Sequence, residues 1–258
     1  MAQENYENNI HKFWNDRAPL KQQAGSNDYI AKQLEINTLK KHIQTGQKIL
    51  EIGCGNGITA IEFAKNFNIQ IDAFDFSEKM IEEAKLTAKN TTLKGNINFQ
   101  VADMRKLPLL NANYDIAYTE RALINLPDWP SQAKAIKDIT GLLKPGGRYL
   151  MCENSQEGLD EINQLRGLCQ LPPITPPWHN RYLYNKEIAS LHIENVKLID
   201  LEHYSSTYYI ISRVVNAWLA MQEGQQPQYD ALVNKLGLIL PPIGELGQGK
   251  LWIWEKTN

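Results

Sequence analysis

Five short β-rich runs, KILEIG, IQIDAFD, INFQVAD, YDIAYTE and RYLMCEN, alternate with helical patterns between Lys48 and Glu153. Few folds accept that alternation, because parallel strands need long crossovers and helices supply them. The stretch is therefore expected to be one α/β unit built on a parallel sheet. Its helical patterns lie at Gly57 to Phe67, Ser77 to Asn90 and Ser131 to Leu143, and the second opens on Ser-Glu-Lys-Met, an N-cap start. KPGGR, Lys144 to Arg148, is read as stopping the third helix and turning into the fifth strand. The last four runs end in or next to an acidic or amide residue, and ligands of such sheets bind at the carboxyl ends of the strands.

The 258 residues suffice for a sizeable core in one domain, with a subdomain at most. A net charge of -2 and a pI near 6.2 give no basic excess, so neither nucleic acid nor an anionic membrane is an expected partner. The three cysteines, Cys54, Cys152 and Cys169, are odd in number and far apart, which argues against a disulfide framework or a C-x-x-C metal site. MAQENYENNIHKFW has no apolar stretch of signal-peptide length, and no window approaches a membrane span. A cytoplasmic protein is the expectation, with a small-molecule substrate and a homodimer admitted.

The first strand runs into Glu51, Gly53, Gly55 and Gly57, an E-x-G-x-G-x-G turn. A dinucleotide fingerprint would place its third glycine at position 58, where the chain has Ile58, and no Walker phosphate loop is present. The Glu51 carboxylate would repel a pyrophosphate but stabilise an ammonium or sulfonium. Asp75, ending the second strand, is placed to accept hydrogen bonds from both hydroxyls of a ribose. Asp103, ending the third, is placed to accept from an exocyclic adenine amine, with Met104 packing on the ring. Together these describe a phosphate-free adenosine with a cationic tail. The plain alternative is a tight strand-to-helix connection beside two helix-capping aspartates.

The series ILEIGCGNG, IDAFDFSEKMIEEAK, VADMRKLPL, YDIAYTERALINL and LLKPGGRYLM resembles the successive motifs of class I S-adenosylmethionine-dependent methyltransferases over about Lys48 to Glu153. The resemblance implies an α/β, Rossmann-like, mostly parallel seven-stranded sheet of order 3-2-1-4-5-7-6 flanked by helices. Its last strand, antiparallel, would be GKLWIWEK. It implies S-adenosyl-L-methionine as cofactor, S-adenosyl-L-homocysteine as product, and no metal. Gly53, Cys54, Gly55 and Gly57 would surround the methionine part, with Phe76 and Met80 near the adenine. Thr119, Glu120 and Arg121 would pass beside the methyl-bearing sulfur. FWNDRAP resembles the lid segment of many members, which would put Trp14 and Arg17 over the cofactor. The expected organisation is an N-terminal helical lid over residues 1–43 and a methyltransferase domain over 44–258. Substrate-binding insertions would follow strand five at about 156–190 and separate strands six and seven at about 205–248.

The protein's task in methyl transfer is mainly to align an acceptor with an activated methyl group. Glu120 and Arg121 are the first candidates on the acceptor side, against the reading that they form an ordinary ion pair. His179, in PPWHNRYLY, is the best-placed histidine to act as a base, although a loop histidine is more often plain surface. Asn125, Asn180, Tyr182, Tyr208 and Arg213 are substrate-binding candidates, with packing the competing role for the tyrosines and turn capping for Asn125. Glu153 and Glu157 would bind a polar acceptor or solvate a loop. The polar and aromatic make-up of the added segments favours methylation of a small polar metabolite at a hydroxyl oxygen. The alternatives are N-methylation of an amine metabolite and a non-catalytic S-adenosylmethionine-binding module.

Overall fold

The computed structural model describes residues 2–108, 110 and 113–257, with the backbone alone for residues 2–5 and 7. Met1, at the start of the expected lid, and Leu109, at the end of the VADMRKLPL run, lie outside the described residues. Seven strands form one sheet: β1 Lys48–Ile52, β2 Gln70–Asp75, β3 Asn96–Val101, β4 Tyr114–Glu120, β5 Leu143–Asn154, β6 Val196–Glu202 and β7 Gly249–Lys256. Their order is β3-β2-β1-β4-β5-β7-β6, the order that the resemblance implied. Strands β1 to β5 pair in parallel, and β7 runs antiparallel to both β5 and β6.

The sheet divides the core in two because side chains alternate along each strand. Ile49 of β1 packs with Ile61, Phe63 and Ile71 on one face, while Leu50 and Ile52 pack with Ile136, Ile139 and Trp252 on the other. Coverage on both faces explains the unbroken apolar character of the central strands. The same alternation places Leu251 and Ile253 of β7 in the first cluster and Trp252 and Trp254 in the second.

The covering helices are α2 Tyr29–Lys40, α3 Ile58–Asn66, α4 Glu78–Lys89 and α5 Trp129–Gly141. Ser77 caps α4 by accepting from the Met80 amide at 3.2 Å, as Ser-Glu-Lys-Met suggests, and Asp28 caps α2 through the Ala31 amide at 3.0 Å. Such caps satisfy donors that the helix itself leaves unpaired, each contributing about 1 kcal/mol. KPGGR differs from its reading. Leu143 already pairs with Tyr114, and the register between β4 and β5 shifts between Tyr114 and Ile116, so the glycines form an irregularity inside β5. A side chain at Gly147 would come within 2.8 Å of the Tyr114 carbonyl, which is why the close approach needs glycine.

Helix α1, Ala2–Arg17, crosses the start of α4, where His11 lies 2.9 Å from Glu78 and Ser77 donates to Asn15 at 2.5 Å. After β5 come α6 Gln156–Leu168, an extended stretch, and α7 Asn185–Ser190. That stretch is tied back to the sheet through Leu183, which donates to the Asn154 carbonyl at 2.9 Å. Between β6 and β7 lie α8 Ser206–Ile210, a π-helical turn at Ile211–Val215, α9 Asn216–Gln222 and a 3-10 segment at Leu232–Leu238.

Candidate active site

The carboxyl ends of β1, β2 and β4 open into a cavity of about 390 Å³, adjoined by a second of about 350 Å³, and Gly53, Asp75, Phe76, Met104 and Asn125 line both. All three glycines of the turn have positive φ, at 77°, 52° and 75° for Gly53, Gly55 and Gly57. A Cβ at Gly53 would meet the Ala122 Cβ at 2.4 Å, and one at Gly57 would meet the Phe99 ring at 2.6 Å. These two glycines let the turn pack against β4 and β3. A Cβ at Gly55 would meet nothing within 4 Å, so the backbone there borders open space.

Asp75 is buried at the end of β2, its Oδ2 accepting from the Gly55 amide at 2.8 Å and its Oδ1 from the Ser77 amide at 2.9 Å. Burial lifts its pKa to about 6, against the pull of the Ser77, Gly55 and Phe76 amides. Glu51, expected at the cofactor, is instead buried in β1 and lines neither cavity, and burial pushes it up to about 8 although Lys32 pulls the other way. Asp103 and Met104 line the second cavity with Phe76 and Leu126. Asp103 also caps a short 3-10 turn through the Arg105 amide at 2.9 Å and pairs with the Arg105 guanidinium at 2.5 Å. Met80 lines the first cavity and packs with Ala18, Ala24 and Trp14. Cys54 lines it too, its buried thiol pushed up by desolvation.

At the end of β4 the chain turns through Arg121, a non-glycine residue at φ 51°, a strained conformation that recurs at functional sites. Glu120 receives the Lys32 ammonium and the Thr59 hydroxyl, the latter at 2.6 Å. Burial opposes its charge, but Lys32, a hydrogen bond with Glu35 and the Arg121 charge together hold Glu120 well below the usual carboxylate range. Arg121 pairs with Glu35 at 3.0 Å. Burial raises Glu35 well above the carboxylate range, against Arg121 and with the Glu120 charge adding to it. Thr119 is fully buried, its hydroxyl 2.8 Å from that of Tyr149, and it does not line either cavity.

Helix α1 and the extended stretch after α6 roof the cavity. Trp14 donates from its indole to Asn125 Oδ1 at 3.2 Å, while Asn125 donates to the Arg121 carbonyl at 2.9 Å. Asn125 thus lines the cavity and ties the turn at once. Arg17 donates to the Ala24 and Gln23 carbonyls at 2.6 and 3.0 Å. His179 lies among Phe13, Trp14 and Trp178, with ring centroids at 4.4, 5.6 and 5.4 Å. Burial lowers its pKa to about 4, with Arg17 adding, so the ring is neutral at pH 7. Its Nδ1 is unpartnered.

The far wall comes from the two added segments. Asn180, Tyr182, Tyr209, Arg213 and Tyr229 line it together with Gln248, which precedes β7. Arg213 projects from the π-helical turn, an irregularity frequent at functional sites. It donates to Asp28 at 2.6 Å and lies 4.6 Å from the Tyr229 ring centre. Tyr208 is turned away, donating to Asp28 at 2.6 Å and packing where a Gly237 side chain would sit. Its neighbour Tyr209 takes the cavity position instead. Glu153 neither binds a ligand nor solvates a loop: fully buried, it accepts from the Ala122 and Leu123 amides at 3.0 Å and fixes the turn after β4.

Asp28, Lys32 and Glu35 were not among the expected site residues, yet all three line the cavity. Their spacing of four and three places them on one helical face, beside the buried Ala31 and Leu39. Charges on an otherwise apolar stripe were the available signal. Among the described residues no group of three or more His, Cys, Asp or Glu is arranged to hold a metal ion, and no helix is long and apolar enough to cross a membrane.

Residues 49–147 match the family described as "Methyltransferase domain". Among curated relatives, an O-methyltransferase of Pyrenophora dematioidea is 33% identical over 133 residues, covering 50% of this chain and 49% of the relative. The 27-O-demethylrifamycin SV methyltransferase of Amycolatopsis mediterranei is 30% identical over 148 residues, covering 56% and 50%. The chain thus spans about half the length of these relatives. Among solved structures, a methyltransferase in complex with the Haloferax volcanii Trm112 activator matches over 95% of this chain and 97% of that one, with TM-score 0.61 at 13% identity. The [4+2]-cyclase SpnF matches over 92% and 82%, with TM-score 0.57 at 21% identity. At such identities the likeness concerns the fold. Residues 49–147 thus match a methyltransferase domain, and the seven strands follow the order that the resemblance implied.

Proposed function

We propose that the protein transfers a methyl group from S-adenosyl-L-methionine to a hydroxyl oxygen of a small polar metabolite. The observation that carries the donor half is the Asp75 carboxylate at the mouth of the glycine turn, with open space beside Gly55 and the apolar faces of Phe76 and Met104 in the adjoining cavity. Two carboxylate oxygens suit the two ribose hydroxyls. These residues fit the adenosyl group. When bound, S-adenosyl-L-methionine supplies a methyl group already activated by the positive charge of its sulfur.

The hydroxyl assignment draws support from relatives named O-methyltransferase. The chain's own residues would act chiefly by positioning. Trp14 and Arg17 close the cavity from α1, and Arg121 and Asn125 shape the turn after β4. Glu120 is held charged between Lys32 and Thr59, which suits it to electrostatic anchoring and makes it a poor proton acceptor. His179, neutral in the cavity wall, is suited to orient the acceptor hydroxyl.

The test is turnover on a panel of hydroxylated and amine metabolites, read as S-adenosyl-L-homocysteine release, with mass spectrometry locating the new methyl group. An O-methylated product, lost in His179→Ala and Asp75→Ala, is expected. An N-methylated product would overturn the acceptor assignment. Binding of S-adenosyl-L-homocysteine without any turnover would favour a non-catalytic binding module.

A further inference from the structure

The insertion between β6 and β7 carries its side chains in reverse of what an isolated chain needs. Around α9 the buried positions are Asn216, Ala217 and Ala220, whereas Val215, Trp218 and Leu219, on one helical face, are exposed. The 3-10 segment repeats the inversion. Asn234 and Gly237 are buried, while Leu232, Leu236 and Ile239 lie outside, Leu232 at 80% and Ile239 at 75% exposure. A Cβ at Gly237 would lie 2.5 Å from the Tyr208 ring, so the segment has no room to turn a larger side chain inward there. Both elements pack on the π-helical turn, and Asn216 and Asn234 each donate to the Gln228 carbonyl at 3.0 Å, so their outward faces adjoin.

Of the nineteen exposed large apolar side chains among the described residues, eleven fall between Val215 and Ile243, which makes the exposure a patch and not scatter. They expose on the order of 1,000 Å², beyond the roughly 300–600 Å² of the largest patch on a typical monomer and enough for the roughly 800 Å² that each partner gives to a standard interface. Charge selects the occupant. Glu223, Asp230 and Lys235 are the charged residues between positions 215 and 243, a slight negative excess with no basic cluster, which does not suit an anionic lipid surface. A patch that carries both signs is self-complementary across a two-fold axis, where an acid of one copy meets the lysine of the other. Trp218 supplies an aromatic anchor of the type enriched at the centres of interfaces. Tyr229, exposed in the same patch, also lines the cavity, so the contact borders the far wall of the site.

We propose that α9 and the 3-10 segment form the contact of a two-fold symmetric dimer of this chain. The proposal does not depend on the methyltransferase reading. The test is sedimentation velocity of the full chain across the micromolar range, where a particle of twice the 29.5 kDa chain mass is expected. The double variant Leu232→Lys with Ile239→Lys should weaken association about a hundredfold or more, because each substitution enters a two-fold contact twice. Leu86→Lys, at an exposed apolar position of α4, should leave the dimer intact. Circular dichroism matching the wild type checks that both variants are folded. Hydrogen exchange of the wild-type chain needs no variant and should show concentration-dependent protection over residues 215–243. A wild-type chain that stays monomeric, including one that instead sediments with phosphatidylcholine vesicles, would overturn the proposal. So would a dimer that survives the double variant, one lost equally in Leu86→Lys, or protection confined to other elements.

Discussion

The Gly55 amide lies 2.8 Å from Oδ2 of Asp75, joining the glycine turn after β1 to the end of β2. That bond fixes the carboxylate at the edge of the cavity, where its remaining lone pairs are available to ligand hydroxyls. Asp75→Asn keeps the size and removes the charge. It should weaken S-adenosyl-L-homocysteine about a hundredfold by calorimetry, the scale expected for two hydrogen bonds to a charged group. Unchanged affinity would remove Asp75 from the site.

Gly53 tests the turn itself. Its φ of 77° and the 2.4 Å approach of an added Cβ to Ala122 leave no room for a side chain. Gly53→Ala is expected to cost about 1–3 kcal/mol of stability and to weaken nucleotide binding, because the turn must withdraw from β4. Gly55→Ala, with open space around it, should spare packing and lose stability only through its backbone conformation. Equal melting temperatures for the two variants would contradict this difference.

Lys32 and Glu120 form an ion pair in which the carboxylate is almost fully buried. Removing one partner strands the other charge. Lys32→Met should destabilise the protein by about 3 kcal/mol, and adding Glu120→Gln should restore much of that loss. Additive effects in urea unfolding would show that the pair is not coupled.

The raised pKa of Glu51 has a defined sign. Its folded value of about 8 lies above the unfolded value near 4.5, so the folded state holds the proton more tightly. Its contribution is most favourable below the unfolded value and declines as pH rises towards 8. Glu153 and Asp75, raised to about 7 and about 6, act in the same direction. The melting temperature of the ligand-free protein should fall between about pH 5 and 8.5, and less steeply in Glu51→Gln. Parallel curves would contradict the shift.

The sheet was legible from its strands because β1 and β7 are apolar on both faces and the glycine turn follows β1 directly. Asp75 and Met104 were legible because a strand end fixes where such residues stand. Residues whose placement depends on tertiary packing were not. Tyr208 and Tyr209 are adjacent in sequence, yet only the packing of Tyr208 against Gly237 decides that Tyr209 faces the cavity. Lys32 and Glu35 take their places because Glu120 and Arg121, far along the chain, meet them across the sheet edge. KPGGR looked like a turn because its local chemistry is that of one, and strand pairing through Leu143 overrode it.

The most direct test of the donor assignment is titration of the ligand-free protein with S-adenosyl-L-homocysteine and, separately, with NAD. A single micromolar site for the first and no heat for the second is predicted, since Ile58 replaces the third fingerprint glycine. Absence of S-adenosyl-L-homocysteine binding, or NAD binding of equal strength, would contradict the account.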